Sequence, residues 1–520
     1  MGTFLPIDKD ALSFITIVGL TNSTHKLAIS NLFRDLKKFN LYTKMNAVYP
    51  FIGGTSDTHK WNLMNPVDTN AGFRLGFTTG FTHSSTGIKG NGSTDFANTY
   101  LNNNTVMNLN SAHLSVYSRT QEADSTSVDI GVYNFSSAQQ LFLSTRYLGD
   151  FIFPVMNTGA NTANAYQGDD DASGFFIGNR NSSTEIGVFK NDIKLSAIST
   201  TATSKINGDI FLCARCRADV STASLNSDRE LAFASIGDGL TDEDASNLNR
   251  TVQRYQTLLG RAINYDVTTY DSDAYNFITA ATITRQLDRY AINELVLDLK
   301  EAGIWSATTA IYPFIGGNST SHRFNLKDPR DDDAAYRLTF AGGVTHTNYG
   351  VKFNGTSGWA NTFLPNSGIT QNSIHLGVYS RTAGNTGFDI SGDVSPRTQL
   401  ILQYTNGNTY YDLNNTTANT SLINLATTAT GFYVSNRTAS NAYKLFRRGI
   451  SVATDTDATS APDGTNFNIA RLTNNTAFSS RQYAFATLGT SLTDTQLDDY
   501  NTIVEMFQVR LGRSMITLSN

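Results

Sequence analysis

The chain has 520 residues, of which 16% are charged and 11% aromatic, with 40 glycines and a formal net charge of −5. This weakly acidic balance, without a basic run, argues against nucleic acid as a partner. No stretch reaches the roughly 18 consecutive apolar residues of a membrane-spanning helix, so we expect no membrane insertion. The two cysteines, Cys213 and Cys216, are too few to hold a fold of this size together by disulfides.

The first predicted element is a helix, and a matching helix is predicted in the second half of the chain. Ile29, Leu32, Phe33 and Leu36 follow the i, i+3, i+4, i+7 spacing of one helical face. Residues 292–299 repeat this pattern. Each half therefore opens with an amphipathic helix.

The motif Tyr-Pro-Phe-Ile-Gly-Gly comes next, at 49–54, and recurs at 312–317. Further matches between the halves include Arg74 with Arg337, Tyr117 to Thr120 with Tyr379 to Thr382, and Leu259-Gly260-Arg261 with Leu511-Gly512-Arg513. A period of this length makes each copy a complete domain rather than a solenoid unit. We predict a first repeat at 1–263, a linker at 264–273 and a second repeat at 274–520.

Short strands separated by Gly-, Asn- and Thr-rich joints fill the middle of each copy. Residues 113–118 and 375–380 alternate with a period of two, which predicts strands with one apolar face. Residues 175–178 and 432–435 are predicted as further strands, each followed by an Asn-Arg turn. The pattern is typical of a sandwich of two antiparallel sheets.

Each copy closes with another helix. Thr241 and Thr493 are predicted N-caps, and Gln496 completes a capping box in the second copy. Gly260 and Gly512 predict left-handed C-terminal stops. The predicted fold class is mainly β, with two tandem jelly-roll sandwiches that are each flanked by an N-terminal and a C-terminal helix.

Taken together, these segments resemble a known family. The opening helix, the YPFIGG motif and a closing helix that runs from Leu-Thr-Asp to Leu-Gly-Arg are similar to virion proteins of tailed bacteriophages, especially those of Bacteroidetes-type hosts. The repeats of that family are concanavalin A-like (laminin G-like) jelly rolls. The resemblance covers nearly the whole chain and implies a structural or adhesive protein of a tail, baseplate or head fibre.

Three histidines of the first copy have counterparts in the second. The pairs are His59 with His322, His83 with His346 and His113 with His375. Three imidazoles per domain could bind a metal. Their wide spacing, without a shared cysteine, instead favours rings that hydrogen-bond the backbone in polar corners of the sandwich. They are our candidates for structural or ligand-contact side chains.

Calcium is the cofactor for which the sequence offers ligands. Asp68 matches Asp331, and carboxylate oxygens are the ligands that calcium prefers. The acidic residues that follow Asp331 are replaced by Thr69 and Asn70 after Asp68, so solvated loops are the simpler interpretation. The sequence leaves open whether calcium binds, and no other cofactor is expected.

An enzyme is not expected. Glycoside hydrolysis uses a pair of carboxylates, and the nearest acidic pattern, Glu122-Ala123-Asp124, lacks a further Glu and has no acidic counterpart in the second copy. Cys213 and Cys216 align with Ile469 and Leu472, which indicates buried apolar positions rather than a redox or zinc site.

Aromatic residues at matched positions are the candidates for glycan binding, because aromatic faces stack on sugar rings. The pairs are Trp61 with Phe324 and Phe96 with Trp359. The alternative is that they are core residues. Arg74 and Arg337 are polar candidates, for which anchoring of a loop within the domain is the favoured use.

We predict a structural protein of a bacteriophage particle (tail, baseplate, or head fibre or decoration) with binding of host cell-surface glycans as a second role. The expected partners are other virion proteins and further copies of this chain. No secretory signal is recognised in the first residues, so we expect synthesis in the host cytoplasm and exposure on the particle. A dedicated receptor-binding, lectin-like adhesin is the alternative, and a glycan hydrolase comes third.

Overall fold

A computed structural model gives the fold. The structure describes residues 8–121, 126–147, 150–159, 166–168, 171–263, 270–384, 387–392, 395–417, 419–425, 429–462, 464–472 and 477–515. The chain divides into two compact units, the first built on Pro6–Asp266 and the second on Val267–Thr517. This division falls inside the predicted linker, 264–273. The structure is mainly β and contains several sheets.

Helices open and close each unit, and short helices also lie within it. In the first unit they are α1 (Lys9–Val18), α2 (Ser23–Lys38), α3 (Ser56–His59), α4 (Asn103–Val106) and α5 (Asp242–Leu258). In the second unit they are α6 (Ser272–Ala280), α7 (Gln286–Glu301), α8 (Ser319–His322) and α9 (Asp494–Arg510). Within the described ranges, no helix has the length and apolar character needed to span a membrane.

The first unit contains two sheets. Its strands are β1 (Met45–Tyr49), β2 (Gly76–Phe77), β3 (Thr82–Ser84), β4 (Gly87–Lys89), β5 (Ala97–Asn102), β6 (Ala112–Ser118), β7 (Ile130–Asn134), β8 (Gln139–Tyr147), β9 (Phe151–Gly159), β10 (Tyr166–Gln167), β11 (Gly174–Arg180), β12 (Glu185–Lys190), β13 (Ile193–Ser199), β14 (Asp209–Leu212), β15 (Arg215–Arg217), β16 (Thr222–Ser224) and β17 (Glu230–Gly237). One sheet has the order β13-β12-β11-β6-β17-β4-β3, with β1 also on β17. We call it the helix-side sheet. The other has the order β10-β9-β8-β7-β14-β5-β2, with β15 parallel to β7 and β16 paired to β15.

The second unit has a comparable arrangement. Its strands are β18 (Thr308–Tyr312), β19 (Thr339–Ala341), β20 (Val344–Thr347), β21 (Gly350–Phe353), β22 (Trp359–Pro365), β23 (Ile374–Ser380), β24 (Ile390–Ser391), β25 (Gln399–Leu400), β26 (Thr409–Tyr410), β27 (Leu422–Ile423), β28 (Gly431–Ala439), β29 (Ala442–Arg447), β30 (Ile450–Asp455), β31 (Asn466–Ile469) and β32 (Gln482–Gly489). The order β20-β21-β32-β23-β28-β29-β30, with β18 on β32, forms its helix-side sheet. The order β19-β22-β31-β24-β25 forms the other sheet, and β26 pairs with β27.

Two apolar layers cover the helix-side sheet of the first unit. Leu114 of β6 clusters with Leu141 of the other sheet, whereas Tyr117 and Phe175 cluster with Leu248 of α5. Strand β6 is consequently buried along its whole length, and β23 is buried in the same way. Strands are thus present at the predicted 113–118 and 375–380, with their apolar face in the core between the sheets. The opposite face is buried as well, because helices cover it.

The ends of the elements confirm some predictions and correct others. Thr241 and Thr493 cap α5 and α9 in capping boxes, and Gly260 and Gly512 have φ of 68° and 67°. The opening helix of each unit is in fact preceded by another, α1 or α6, and α6 begins inside the predicted linker. The Asn-Arg pairs at 179–180 and 436–437 continue β11 and β28 and are not turns.

A bulge occurs at the same place in both units. It lies in Ala-Asn-Thr-Tyr-Leu of β5 and in Ala-Asn-Thr-Phe-Leu of β22. Tyr100 and Phe363 have φ of 55° and 56°, an uncommon conformation for residues other than glycine. The Asn98 side-chain oxygen accepts from the Tyr100 N–H at 2.7 Å, and Asn361 accepts from Phe363 at 3.0 Å. This local bond stabilises the strained backbone.

Candidate functional site

The motifs kept in both copies meet at a buried arginine. Arg261 donates from Nη2 to the carbonyl oxygens of Pro50 and Ala232, at 2.7 and 2.9 Å. It donates from Nη1 to Phe51 O at 2.8 Å and from Nε to Gln256 Oε1 at 2.6 Å. In the second unit the four matching acceptors of Arg513 are Pro313, Ala484, Phe314 and Gln508, at 2.7, 2.9, 2.8 and 2.6 Å. We call this arrangement the arginine clasp, since it joins the end of the closing helix to the YPFIGG turn.

The Tyr-Ser-Arg-Thr motif binds the backbone at and just after the clasp arginine. Arg119 Nε donates to the Arg261 carbonyl oxygen at 3.0 Å, and the Ile263 N–H donates to the Tyr117 hydroxyl at 2.9 Å. In the second unit the equivalent bonds join Arg381 to Arg513 at 2.9 Å and Met515 to Tyr379 at 2.8 Å. These kept arginines therefore anchor the backbone of their own unit.

In each unit, two of the three matched histidines are hydrogen-bonded to each other. His59 Nδ1 lies 3.1 Å from His83 Nδ1, and His322 Nδ1 lies 3.0 Å from His346 Nδ1. The Gly54 N–H donates to His59 Nε2 at 3.1 Å, so the neutral His59 ring carries its proton on Nδ1 and donates it to His83. Burial, together with the neighbouring His83 and Arg261, lowers the pKa of His59 to about 3.

The third matched histidine lies apart from this pair. His113 Nδ1 donates to the Asp238 carbonyl oxygen at 2.6 Å, and its Nε2 lies 3.0 Å from Ser235 Oγ. His375 makes the same kind of contacts, to the Thr490 carbonyl oxygen and to Thr487. Burial lowers the pKa of both His113 and His375 to about 4. In the part of the chain that the structure describes, no three His, Cys, Asp or Glu side chains form a group able to hold a metal ion.

The calcium candidates are ion-paired. Asp68 contacts Lys60 at 2.9 Å and Arg74 at 3.5 Å. Asp331 contacts Arg337 at 2.9 Å and also pairs with Arg323. Each carboxylate thus has two cations beside it, which disfavours a further divalent cation. Arg74 and Arg337 act here as loop anchors.

The cysteines occupy buried positions, although the alignment between the copies differs from the predicted one. Ile469 matches Leu212, because each pairs with the alanine that opens the Ala-Asn-Thr segment, so Cys213 matches Ala470. Cys213 and Cys216 are free and buried. Burial raises the pKa of both thiols, that of Cys216 to about 12, so neither is a reactive thiolate at neutral pH.

Trp61 and Phe324 belong to the helix-packed cores. Their residues are 9% and 3% exposed, and they cluster with the helices of their units. Lys60 and Arg323 lie over the two rings, at 5.0 and 5.2 Å from the ring centroids. The prediction of a sugar-stacking surface at this pair is therefore corrected, since the rings are covered by the protein itself.

A groove of about 620 Å³ lies on the first unit, across strands β2, β5 and β14. Along β5, Ala97, Thr99 and Leu101 are buried, whereas the alternate residues are partly exposed. The groove is therefore on the face of the sheet that is turned away from the core. The described residues that line it are Gly76, Phe77, Thr78, Phe96, Asn98, Tyr100, Asn102, Asn207, Gly208, Asp209, Phe211, Cys216, Ala218 and Ser221.

The groove combines aromatic rings with a polar pair. Phe96 is stacked on Phe211, with ring centroids 4.4 Å apart, and remains partly exposed. Asn98 Nδ2 donates to Asp209 Oδ2 at 3.2 Å. The bulge brings Tyr100 to the same face, where a Cβ built on Gly76 would lie only 2.6 Å from the Tyr100 hydroxyl. The glycine thus leaves the space that this phenol occupies.

The matching face of the second unit has different chemistry. Trp359 stands in place of Phe96, and the guanidinium carbon of Arg471 lies 3.1 Å from the centroid of its ring. Arg471 Nη2 lies 3.4 Å from Asn468 Oδ1. The sheet register places Asn466 and Asn468 where the first unit has Asp209 and Phe211.

Sequence reasoning identifies Phe96 and Trp359 but misses the polar residues beside them. Asn98, Tyr100 and Asp209 line the groove, and none of them is among the predicted site residues. The signal for the first two is the repeated Ala-Asn-Thr-aromatic-Leu segment. Asp209 has no such signal, because the other copy carries an asparagine there. Glu122-Ala123-Asp124 lies outside the described residues.

No protein-family model and no curated protein matches this sequence. Among solved structures, the chain is similar to domain 4 of AbnA, a GH43 extracellular arabinanase from Geobacillus stearothermophilus in complex with arabinotriose (16% identity, 37% of this chain, 98% of that chain, TM-score 0.25). It is also similar to the binding domain of botulinum neurotoxin serotype D (13% identity, 39% and 52% covered, TM-score 0.26).

A third similar structure is a mutant of Trypanosoma rangeli sialidase displaying trans-sialidase activity (11% identity, 72% and 53% covered, TM-score 0.27). The match covers about half the length of the neurotoxin and sialidase structures.

Proposed function

We propose that this chain binds uncharged saccharides through the groove of its first unit, as a surface protein of a bacteriophage particle. The observation that carries the binding proposal is the groove itself, in which a partly exposed ring stack lies beside an amide–carboxylate pair. Aromatic faces pack against the C–H faces of sugar rings. Carboxylate oxygens accept hydrogen bonds from sugar hydroxyls, and a side-chain amide can both accept and donate them.

The size of the groove suits a short oligosaccharide. Small-ligand sites commonly measure about 300–1,000 Å³ and hold a few polar groups on an apolar lining. The 620 Å³ of this groove lies in that range. Asp209 is the one charged side chain among its described lining residues. This lining offers no cation that would favour a sugar with a carboxylate or sulfate group, so we propose an uncharged sugar.

The particle role rests on the resemblance of the repeated motifs to phage virion proteins. We propose that each unit is a concanavalin A-like jelly roll, supported by two sheets with a shared core in each unit. Other virion proteins, further copies of this chain and host surface glycans are the proposed partners. Weak sites repeated around such an assembly would gain avidity.

We propose binding without catalysis. Glycoside hydrolysis ordinarily uses two carboxyl groups on either side of the scissile bond. Among the described lining residues, Asp209 is the single carboxylate. An adhesin dedicated to receptor binding uses the same groove and differs from this proposal in its place on the particle.

The binding test is a glycan array probed with the full chain displayed on beads, in wild-type and Phe96→Ala forms. We expect saturable binding to uncharged glycans that falls at least tenfold in the variant, because the exposed face of the ring stack is lost. Trp61→Phe is the control: it alters an aromatic outside the groove and should bind as wild type. Unchanged binding in Phe96→Ala contradicts the proposal, as does release of reducing sugar from the bound glycan.

The particle role is tested separately. Purified particles of the phage that encodes this chain should yield its peptides by mass spectrometry, and antibodies against it should label the particle surface. A chain that appears only in infected-cell lysate and never in purified particles contradicts this part of the proposal.

A further inference from the structure

We propose that Phe135 of the first unit forms an outer subsite beside the groove, where its ring packs against a further sugar unit of an uncharged oligosaccharide held in the groove. This inference rests on the proposed function and extends it to the length of the glycan. Three observations support it: the position of the ring, the contacts that hold it and its exposure.

Two turns lie at one wall of the groove. Residues 218–221 join β15 to β16, and Ala218 and Ser221 of this turn line the groove. Residues 135–138 join β7 to β8. The Ala218 N–H donates to the Tyr133 carbonyl oxygen at 2.8 Å, so the two turns lie side by side. Phe135, which opens the second turn, is therefore close to this wall.

The ring lies on the side of the sheet that carries the groove. Phe211 lines the groove and pairs with Gly131 of β7, so Tyr133, two residues further along that strand, points to the same face. Arg217 pairs with Tyr133 and shares this face. The guanidinium carbon of Arg217 is 4.7 Å from the centroid of the Phe135 ring. A glycan that extends from the groove across β15 would therefore reach the ring.

Contacts within this corner of the unit hold the ring in place. Arg217, which lies over Phe135, donates from Nε and Nη2 to the Asp219 carboxylate, at 3.1 and 3.0 Å. The same carboxylate also interacts with the Phe135 N–H. An ion-paired guanidinium thus supports one face of the ring, and a ring that is already held loses less conformational freedom when a ligand binds.

The ring is unusually open to solvent. Phe135 is 67% exposed, the highest fraction among the large apolar side chains that the structure describes, and Val220 of the neighbouring turn is exposed as well. Single exposed apolar side chains are common, but adjoining ones next to a groove are typical of an interaction surface. An exposed aromatic face can pack against the C–H face of a sugar.

The test is an array of linear uncharged oligosaccharides, probed with the full chain. It carries cello-, malto-, isomalto-, xylo- and manno-oligosaccharides, each from disaccharide to octasaccharide. In a series that binds, we expect affinity to rise with length until the glycan reaches Phe135. Phe135→Ala should weaken binding of the long members about fivefold, because one stacked ring is lost, and leave the short members unchanged. Phe135→Tyr keeps the ring and should bind every length as wild type.

The matched control is Tyr275→Ala, which removes an exposed aromatic ring of the second unit and should bind every length as wild type. Phe96→Ala should weaken binding of short and long members alike, so a failure of the groove and a failure of the outer subsite give different patterns. If no series binds the wild type, the groove proposal fails and the outer subsite fails with it.

Two further results would overturn this inference alone: long members that bind Phe135→Ala as tightly as the wild type, or a loss that is equal at every length. Sedimentation then identifies the other use of the ring, since a variant that binds glycan normally but no longer self-associates would assign Phe135 to contacts between copies. Unchanged melting temperatures establish that the variants are folded, as expected for changes at an exposed side chain.

Discussion

Arg261 and Arg513 explain why the most recognisable motifs of the sequence are kept in both copies. Each guanidinium is fully buried and donates to three matched backbone carbonyl oxygens and one glutamine side chain. Arg261 also donates to Ser85 O at 3.5 Å. Lysine could not supply this planar set of donors. The YPFIGG and Leu-Gly-Arg motifs are therefore structural partners, and their repetition does not mark an active site.

Replacing the clasp arginine should destabilise the unit that contains it. Arg261→Met removes the guanidinium donor from the carbonyl oxygens of Pro50, Phe51 and Ala232. Pro50 O keeps the Tyr255 hydroxyl and Ala232 O keeps Gln256 Nε2. A hydrogen bond to a charged group contributes about 1.5–3 kcal/mol, so we expect the loss of these bonds to lower the free energy of unfolding by about 3 kcal/mol or more. Urea unfolding measures this loss.

The matched control is Arg330→Met, whose side chain is 62% exposed and ion-paired to Asp328. Surface pairs contribute about 0–1 kcal/mol, so this variant should lie close to the wild type. Equal losses in the two variants would mean that the clasp has no special role.

Glu505 gives the second unit a pH dependence that the first unit lacks. It lies fully buried on α9, accepts from the Tyr379 hydroxyl at 3.0 Å, and matches Gln253 of α5. Burial raises the pKa of Glu505 from 4.5 to about 7. The folded state thus binds this proton more tightly than the unfolded state does. Stability is highest below the unfolded pKa and falls as the pH rises towards 7.

We expect Glu505→Gln to remove this loss. Between pH 5 and pH 8 the wild type should lose about 2 kcal/mol more of its free energy of unfolding than the variant, as measured by urea unfolding at the two pH values. The reciprocal change, Gln253→Glu, should introduce a similar loss in the first unit. Parallel pH profiles for the wild type and Glu505→Gln would mean that the pKa of Glu505 is the same in the folded and unfolded states.

At the scale of elements, the sequence predicts what depends on local chemistry. The closing helices were predictable because Thr241 and Thr493 cap them and glycines end them. Helices α1 and α6 were missed because each is only 10 or 9 residues long and directly precedes a stronger pattern. The Asn-Arg pairs were misread as turns, because their partners are carbonyl and side-chain groups far away in sequence, such as Met156 O for Arg180.

The groove was only partly predictable for a similar reason. Phe96 could be selected because an aromatic residue is kept at its position in both copies. Asp209 reaches the groove through the pairing of β14 with β5, a contact between distant segments that no local pattern records. Repetition thus identifies Phe96 and Asn98, which match Trp359 and Asn361, but it gives no signal for Asp209, where the second copy has Asn466.

The space of the groove depends on a glycine in β2. Gly76 pairs with Asn98, and the matched residue of the second unit, which pairs with Asn361, is Thr339. We expect Gly76→Thr to displace the Tyr100 hydroxyl into the groove and to reduce binding of uncharged glycan at least tenfold, with little change in stability. Gly159→Thr is the control, since a Cβ there meets no atom within 4 Å. Full binding by Gly76→Thr would place the ligand elsewhere.

At the scale of the whole molecule, the chain consists of two units with the same clasp, the same histidine pair and the same bulge. The outward faces of the corresponding sheets differ in charge and in aromatic content. This combination is typical of a duplicated scaffold whose copies have kept their internal contacts while their outward faces have diverged. In such a chain the frame should tolerate exchange of groove residues between the copies.

Occupation of the first-unit groove by an uncharged saccharide can be observed directly. The most direct measurement is a crystal structure of the full chain with the tightest-binding uncharged glycan from the array. We expect a sugar ring against Phe96, with its hydroxyls in hydrogen-bond contact with Asn98 or Asp209. A glycan bound at any other surface, with the groove empty, would contradict it.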